Sequence, residues 1–361
     1  MKICLVLPYD ISLTGGVTNH VVNFAIELQE KGQDVTILTT SSKNNFLIKN
    51  VEVFNLGKPV PIKFGSTVAN ILLSWKSLFK VYNFFKKNKF DIVHIHEPLV
   101  PFISIFSTIF CTSKTVLTFH ATLKKNWKFR AWGLLFKPWI ETKNYIIAIS
   151  SSARKSLKMY SYDFPSNLHP NGVGNQFFLK SNSIKKDKLK ILFVGRNEKR
   201  KGAELLIKAY KGLNYKNIKN DYELVMIGKG IEKFKNKYNN LDNCKFFGHL
   251  EGKSLLNHYS NSDILCSPAI ENESFGIVLI EAMASKTAVL ASNINGYNEI
   301  INNTNGLLFK NKDVNDLINK LTLLIEDDNL RNNLKNFGYE FSRKYNWKKV
   351  SEDILKAYKN L

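Results

Sequence analysis

Apolar residues along this chain gather in short unbroken runs, and between them lie longer stretches in which they recur every three or four positions. That alternation predicts strands and helices in turn. The first run, Ile3 to Leu7, leads through a loop with Gly15 and Gly16 into a stretch carrying Val17, Val21, Phe24, Ala25 and Leu28 on one helical face. Gly32 closes that helix. Val35 to Thr39 predicts the next strand, and the runs Ile92 to Ile95, Thr115 to Phe119 and Tyr145 to Ile149 predict further strands of a buried parallel sheet. The polar stretch Lys180 to Lys188 breaks the pattern and is the expected linker. A second series follows it: Ile191 to Val194 before Gly195, Leu224 to Ile227 before Gly228, Ile264 to Cys266 before Ser267-Pro268, and Ala288 to Ala291 before Ser292. Two such series predict an α/β chain of two doubly wound, Rossmann-like domains, 1–180 and 186–342. Ligands are then expected at the carboxyl ends of the strands, in a cleft between the domains.

Composition agrees with two ordinary globular domains. At 361 residues the chain exceeds the size at which one core keeps growing, and no segment is poor enough in apolar residues to be disordered. The start of the sequence lacks the long apolar region and small-residue cleavage site of a signal peptide, so a cytoplasmic location is expected. The longest apolar run, Leu99 to Cys111, falls short of the about 20 residues a membrane-spanning helix needs. Cys4, Cys111, Cys244 and Cys266 lack metal-ligand spacing and read as free thiols in a reducing compartment. The formal charge of +22 calls for an anionic partner. Between Lys58 and Lys158 stand 17 Lys and Arg against three acids, so the excess is focused in the first half.

Three stretches carry chemistry. In PYDISLTGGV, Pro8 to Val17, paired glycines lie between a strand and a helix N-terminus, where free amides and the helix dipole attract phosphate. A tight turn that demands small residues explains them equally well. The G-x-G-x-x-G pattern of dinucleotide sites is missing, so hydride chemistry gains no support. VGRNEKRKG, Val194 to Gly202, sets Arg196, Lys199, Arg200 and Lys201 just past a buried strand, where cations can neutralise a departing diphosphate. ENESFGIVLIE, Glu271 to Glu281, holds two carboxylates eight residues apart. Eight residues overshoot two helical turns by about 80°, so Glu273 belongs in the loop before the helix and Glu281 inside it. No metal is expected, since the H-x-H-E run at His94 to Glu97 aims alternate residues to opposite faces.

The run E-S-F-G-I-V-L-I-E-A-M-A resembles the E-x7-E signature of the retaining glycosyltransferases of family 4, which have the GT-B fold. Gly15-Gly16, HIHEPLVP at His94 to Pro101, TFHAT at Thr118 to Thr122, HPNGV at His169 to Val173 and GRNEKRKG follow in that family's order, and the first two His-containing segments are most like its phosphatidylinositol mannosyltransferase branch. Ser285-Lys286 stands where relatives commonly have a small residue and glycine. The resemblance implies that Gly15, Gly16, Arg196 and Lys201 bind the donor diphosphate. Glu273, with Ser274, Phe275, Gly276 and Ile277, would face the donor sugar, Glu281 the nucleotide ribose, and His120 the transferred sugar. It implies a GDP- or UDP-hexose donor, mannose from GDP-mannose first, and no tightly bound cofactor; a divalent cation is expected at most to stimulate without being ligated. The stretch 343–361 is expected to fold back as a helix on the first domain.

A lipid acceptor is expected from the sequence of the first half. Val68, Ile71, Leu72, Trp75, Leu78, Phe79, Tyr82 and Phe85 recur at helical spacing with lysines at their margin, and the stretch Lys124 to Lys143 crowds Trp127, Phe129, Trp132, Phe136 and Trp139 among basic residues. Tryptophan beside cations suits an anionic lipid interface. The expected membrane contacts are Trp75, Lys76, Lys80, Lys124, Lys125, Trp127, Arg130 and Trp132, at the inner face of the cell membrane. Nucleic acid, the rival anionic partner, is not expected, because no recognition module is readable.

Overall fold

The computed structural model describes the chain apart from residues 44–45, 49, 65–66, 123–125, 164, 179–187, 214–217, 219–220 and 272. The expected linker at 180–188 therefore lies outside the described residues except for Lys188. Two compact units form, Met1–Gly172 with Trp347–Leu361, and Val173–Asn346. The first unit thus ends at Gly172 rather than 180, because the segment after it is already held by the second: Val173 donates its amide to Tyr345 O at 2.7 Å, and the Phe177 ring meets Tyr259 at 5.5 Å. Likewise the returning segment begins at Trp347 and not at 343, since Tyr345 packs on Phe275 at 5.6 Å.

In the first unit the strands are β1 (Lys2–Asp10), β2 (Asp34–Thr40), β3 (Glu52–Asn55), β4 (Val60–Phe64), β5 (Thr67–Ile71), β6 (Ile92–His96), β7 (Lys114–Phe119), β8 (Tyr145–Ala148) and β9 (Asn167–Leu168). The helices are α1 (Gly16–Glu30), α2 (Lys76–Lys87), α3 (Ile103–Phe110), α4 (Trp127–Glu141) and α5 (Ser151–Leu157). The main sheet runs β3-β2-β1-β6-β7-β8-β9 and is parallel throughout, with Ile3 opposite Val35 on one side and Ile92 on the other. Such a sheet is covered on both faces, so its strands read as unbroken apolar runs. Ile3, Leu5 and Leu7 face α1, while Cys4 and Val6 face the layer that includes α2 and α3.

The unit's last helix, which follows the second unit in sequence, packs Trp347, Val350, Ile354 and Tyr358 into the same layer as Phe24 and Leu28 of α1. Its indole explains one glycine: a Cβ on Gly172 would lie 2.3 Å from the Trp347 ring.

The stretch from Val68 to Lys87 does not form one helix, contrary to its spacing. Thr67–Ile71 pairs antiparallel with Val60–Phe64 and reaches Tyr9 of β1 through Ile71, and the helix starts at Lys76. β-branched Val68 and Ile71 favour the pleated surface once a partner strand is present.

The second unit is built from β10 (Leu189–Val194), α6 (Ala203–Leu213), β11 (Tyr222–Ile227), α7 (Phe234–Lys237), β12 (Cys244–Phe247), α8 (Gly252–Ser260), β13 (Ile264–Ser267), α9 (Ile277–Ala284), β14 (Ala288–Ser292), β15 (Leu307–Phe309), α10 (Val314–Glu326) and α11 (Asp328–Ser342). Trp347–Lys359 is α12. The strand order is β12-β11-β10-β13-β14-β15, again parallel. In both sheets the order reverses beside the first strand, between β1 and β6 and between β10 and β13. At such switch points the loops leaving the two strands diverge and open a crevice for ligand. Among the described residues, no helix is long and apolar enough to cross a membrane.

Candidate functional site

Gly15, Arg196, Lys201 and Glu273 lie in loops that leave the switch-point strands β1, β10 and β13, with Gly16 opening α1, whereas His120 follows β7 and Glu281 lies inside α9. After β10, residues 199–201 form a short turn that ends at Gly202 with φ +70. A Cβ there would stand 1.9 Å from the Pro268 carbonyl oxygen, so only glycine lets this loop lie against the one that follows β13. The approach brings Arg200 Nη1 to 2.8 Å and Lys201 Nζ to 2.6 Å from Glu273 Oε1. The Glu273 side chain is only 9% exposed, a setting in which removing one partner of a charge cluster leaves the other uncompensated. Gly296, at φ +91, lies against the backbone of the Glu273 loop, where a Cβ would stand 2.2 Å from the Glu273 carbonyl oxygen.

Arg196 stands apart from this cluster. Its side chain is 49% exposed and pairs with Glu198 at 2.9 Å, while Arg200 bridges Glu198 and Glu273. Arg200, one of the four basic residues of the GRNEKRKG string but not one that the resemblance assigns to the donor, is thus the cation that joins Lys201 at Glu273. Its signal was present, a basic residue in the same GRNEKRKG string, but nothing local distinguishes it from its neighbours.

Helix α9 opens at Gly276, φ +73, with no side-chain cap and no acid in its first turn. Its N-terminal dipole is therefore unopposed, and an anion is favoured there. Ser274 and Ile277 are partly exposed beside this end, whereas the Phe275 ring is buried against Tyr345 and leaves only its backbone for a ligand. Glu281, one turn inside, accepts a 2.7 Å hydrogen bond from the Tyr259 hydroxyl. Burial pushes its carboxyl up to about 7, against the Tyr259 bond that lowers it. Past the helix, Lys286 adopts φ +57, the region in which glycine is at home.

In the first unit α1 begins in the same manner. Gly15 is extended and no side chain caps the helix, whose first turn has no acid. Asp10 shapes the loop before it by accepting bonds from the amides and hydroxyls of both Ser12 and Ser42. Burial raises the Asp10 carboxyl, but these four bonds outweigh it and hold the group below its ordinary value. A Cβ on Gly16 would meet nothing within 4 Å.

Beyond β6 and β7 lies a knot of imidazoles. His120 is buried, and its amide and that of Ala121 both donate to Glu97 Oε1 at 2.8 Å. Glu97 takes φ +48 to make this clamp, and burial pushes its carboxyl up to about 7, opposed by the two amides. His96 Nδ1 lies 3.0 Å from His120 Nε2. His20, reaching in from α1, packs edge-on against His120 at 4.7 Å and Trp347 at 4.9 Å, and its Nδ1 donates to Asn171 Oδ1 at 2.8 Å. Burial lowers His20 to about 4 and holds His96 and His120 well below their ordinary values, so all three are neutral imidazoles. His94 shares a face with His96, two residues on, and is occupied by the Tyr358 hydroxyl at 2.5 Å and Thr118 Oγ1 at 2.6 Å.

Of the expected membrane contacts, Trp75 and Trp127 are each 74% exposed, and Lys76, Lys80 and Arg130 are exposed as well. Lys80 nevertheless donates to Leu56 O at 2.7 Å. Trp132 turns inward, its indole donating to Leu99 O at 2.9 Å and its ring joining the core, so its face is spent on anchoring α4. Lys124 and Lys125 lie outside the described residues. Phe79, Leu134, Leu135 and Trp139 add to the exposed apolar surface of α2 and α4.

Residues 14–176 match the family model described as Glycosyltransferase Family 4, and residues 175–341 the one described as Glycosyl transferases group 1. The chain is similar to the phosphatidyl-myo-inositol mannosyltransferase of Mycobacterium leprae, 28% identical over 100% of this chain and 97% of the relative. Its counterpart in Mycolicibacterium smegmatis is 29% identical over 100% of this chain and 94% of the relative. In three dimensions the chain resembles a glycosyltransferase from Rickettsia africae ESF-5, with a TM-score of 0.80, 21% identity and coverage of 99% of this chain and 98% of that one. Anabaena Alr3699/HepE in complex with UDP and glucose gives a TM-score of 0.78 at 14% identity over 100% of both chains.

Proposed function

The chain belongs to the family 4 glycosyltransferases and has their GT-B fold, and on that premise we propose that it moves a hexose, with retention of configuration, from a nucleotide sugar to a membrane lipid. Mannose from GDP-mannose and a phosphatidylinositol-like acceptor are the first choice, and the full-length similarity to two proteins named phosphatidyl-myo-inositol mannosyltransferase supports it.

One observation carries the reading: two cations and the carboxylate of Glu273 gathered at the uncapped start of α9, beside the β10/β13 switch point. When the bond between sugar and diphosphate breaks, charge develops on the leaving oxygen, and preorganised cations and helix amides stabilise it without rearranging. Lys201, Arg196 and the Gly16 amide take the diphosphate in this proposal. Glu273, held by Arg200 and Lys201, accepts from the sugar hydroxyls, and Glu281 accepts from the ribose. His120, neutral and clamped through its amide by Glu97, faces the transferred sugar. The acceptor attacks from the side the diphosphate leaves, and no covalent nucleophile is assigned.

The exposed aromatic residues of α2 and α4, set among lysines, support docking on an anionic bilayer at the inner face of the cell membrane, each nearby cation contributing ~1 kcal/mol. A polysaccharide or soluble acceptor with a UDP-sugar is the second reading, favoured by the likeness in fold to a protein solved with UDP and glucose. Thermal shift with GDP-, UDP- and ADP-sugars decides the donor, since a ligand at 100 times its dissociation constant adds about 2.7 kcal/mol. Transfer into vesicles with and without phosphatidylinositol decides the acceptor. Transfer that requires vesicles and falls with salt is expected. Equal transfer to a soluble acceptor without vesicles would overturn the lipid assignment, and retention on oligonucleotides with no sugar-nucleotide turnover would overturn the enzyme's assigned chemistry.

A further inference from the structure

We propose that His20, His96 and His120 form a binding site for a divalent cation that prefers imidazole nitrogen, of the Zn²⁺ class, and that its occupancy withdraws His120 from sugar transfer. The binding itself stands apart from the function proposed above; the inhibition rests on that reading.

One ring nitrogen from each of the three lies within 4.8 Å of the others, and all three residues are buried. They come from three different elements, α1, β6 and the loop after β7. Their ring centroids stand 4.7, 5.2 and 5.3 Å apart. Three imidazoles on one tetrahedral zinc, with Zn–N near 2.05 Å, place their centroids about 5 Å apart and their nitrogens about 3.3 Å apart. The ring centroids are already at about that spacing, and the nitrogens, within 4.8 Å of one another, have a short distance left to draw together around an ion.

Two of the nitrogens have a chemical reason to accept a metal. His20 Nε2 and His96 Nε2 are buried with no hydrogen-bond partner among the described residues, a state that costs a buried polar atom its solvation. His20 donates its Nδ1–H to Asn171 Oδ1. That bond fixes the tautomer with the Nε2 lone pair bare, the arrangement in which a neighbouring carbonyl orients a metal-bound histidine. Glu97, one residue past His96, supplies a carboxyl against the His120 and Ala121 amides that offsets the dication's charge. Imidazole suits Zn²⁺, Cu²⁺, Ni²⁺ and Co²⁺, whereas Mg²⁺ and Ca²⁺ want oxygen and are excluded here. In sequence, His94, His96 and Glu97 are the obvious ligand candidates, but one strand aims alternate residues to opposite faces. The fold selects a different set, with His94 taken by Tyr358 and Thr118.

The test uses the full chain, freed of metal by a chelator. Titration with Co²⁺ should give the visible absorption of a tetrahedral nitrogen site at one equivalent, and Zn²⁺ should abolish it. H20A and H96A should each lose the band. Asn171→Ala, which keeps all three imidazoles, should weaken Zn²⁺ binding 10–100-fold, and His249→Ala, at an exposed position in the second unit, should change nothing. Thermal melts identify any variant that fails to fold, in which case N171A alone decides. Absence of the band, or a band unchanged in H96A and N171A, overturns the site. Zn²⁺ bound at one equivalent with transfer undiminished overturns the inhibition alone.

Discussion

Glutamate 281 offers a quantitative test, because its environment sets stability against use. The carboxyl is pushed up to about 7 in the folded chain from an ordinary 4.5. Below pH 4.5 it is protonated in both folded and unfolded states and contributes nothing to the difference. Between 4.5 and 7 the folded state keeps a proton that the unfolded state has released, so stability falls as pH rises, and above 7 the whole penalty is felt. At 1.36 kcal/mol for each pH unit that penalty is about 3 kcal/mol. Glu281→Gln removes the ionisation and keeps an oxygen for the Tyr259 hydroxyl. The variant should therefore match the wild type near pH 4 and exceed it by about 3 kcal/mol at pH 8, roughly 6–12 °C in the melting of a unit of this size. Melts of both proteins across pH 4 to 8.5, followed by far-UV circular dichroism, supply the difference curve. If Glu281 also accepts from the donor ribose, the stabilised variant should bind nucleotide sugar at least tenfold more weakly at pH 8, the mark of a group kept for function at a cost in stability. Parallel melting curves at all pH values would refute the reasoning.

Three further outcomes follow from the same geometry. Gly16→Ala should leave the stability unchanged or raise it slightly, by up to ~1 kcal/mol, since a Cβ there meets nothing within 4 Å among the described residues; calorimetric titration should show donor affinity down at least tenfold, and unchanged affinity would remove Gly16 from the site. Arg200→Ala should cost the second unit about 1–3 kcal/mol by stripping a partner from both Glu198 and Glu273, whereas Arg196→Ala, half exposed, should stay within ~0.5 kcal/mol in urea melts and lower only donor affinity. Gly296→Ala puts a Cβ 2.2 Å from Glu273 O at φ +91 and should cost about 1–3 kcal/mol together with donor-dependent thermal stabilisation; a wild-type melt would show that the Glu273 loop does not depend on this contact.

The central strands were legible because a strand covered on both faces must be apolar at every position. Ile3 to Leu7, Ile92 to Ile95 and Ile264 to Cys266 announce themselves for that reason, and each lies in the middle of its sheet. Gly32, which ends the first helix, is legible by a local rule of its own, the preference of a left-handed residue for glycine, and the separation of Glu273 from Glu281 follows from helical pitch alone. Edge elements carry no such signal. β3 and β9 bury almost nothing, and β5 has a helix-like spacing until β4 and Tyr9 offer it partners. Strand order likewise came only with the tertiary structure, and with it the two switch points that bring separate loops to one crevice in each sheet. Which arginine meets Glu273 depends on Gly202 lying against Pro268, a contact across 66 positions. His20, His96 and His120 have no spacing in common; they converge because α1 sets His20 against the residues that end β6 and follow β7, and Asn171 reaches His20 across 151 positions. Local pattern reports how a segment meets water, whereas a site assembled from distant segments exists only once the strands have chosen their neighbours.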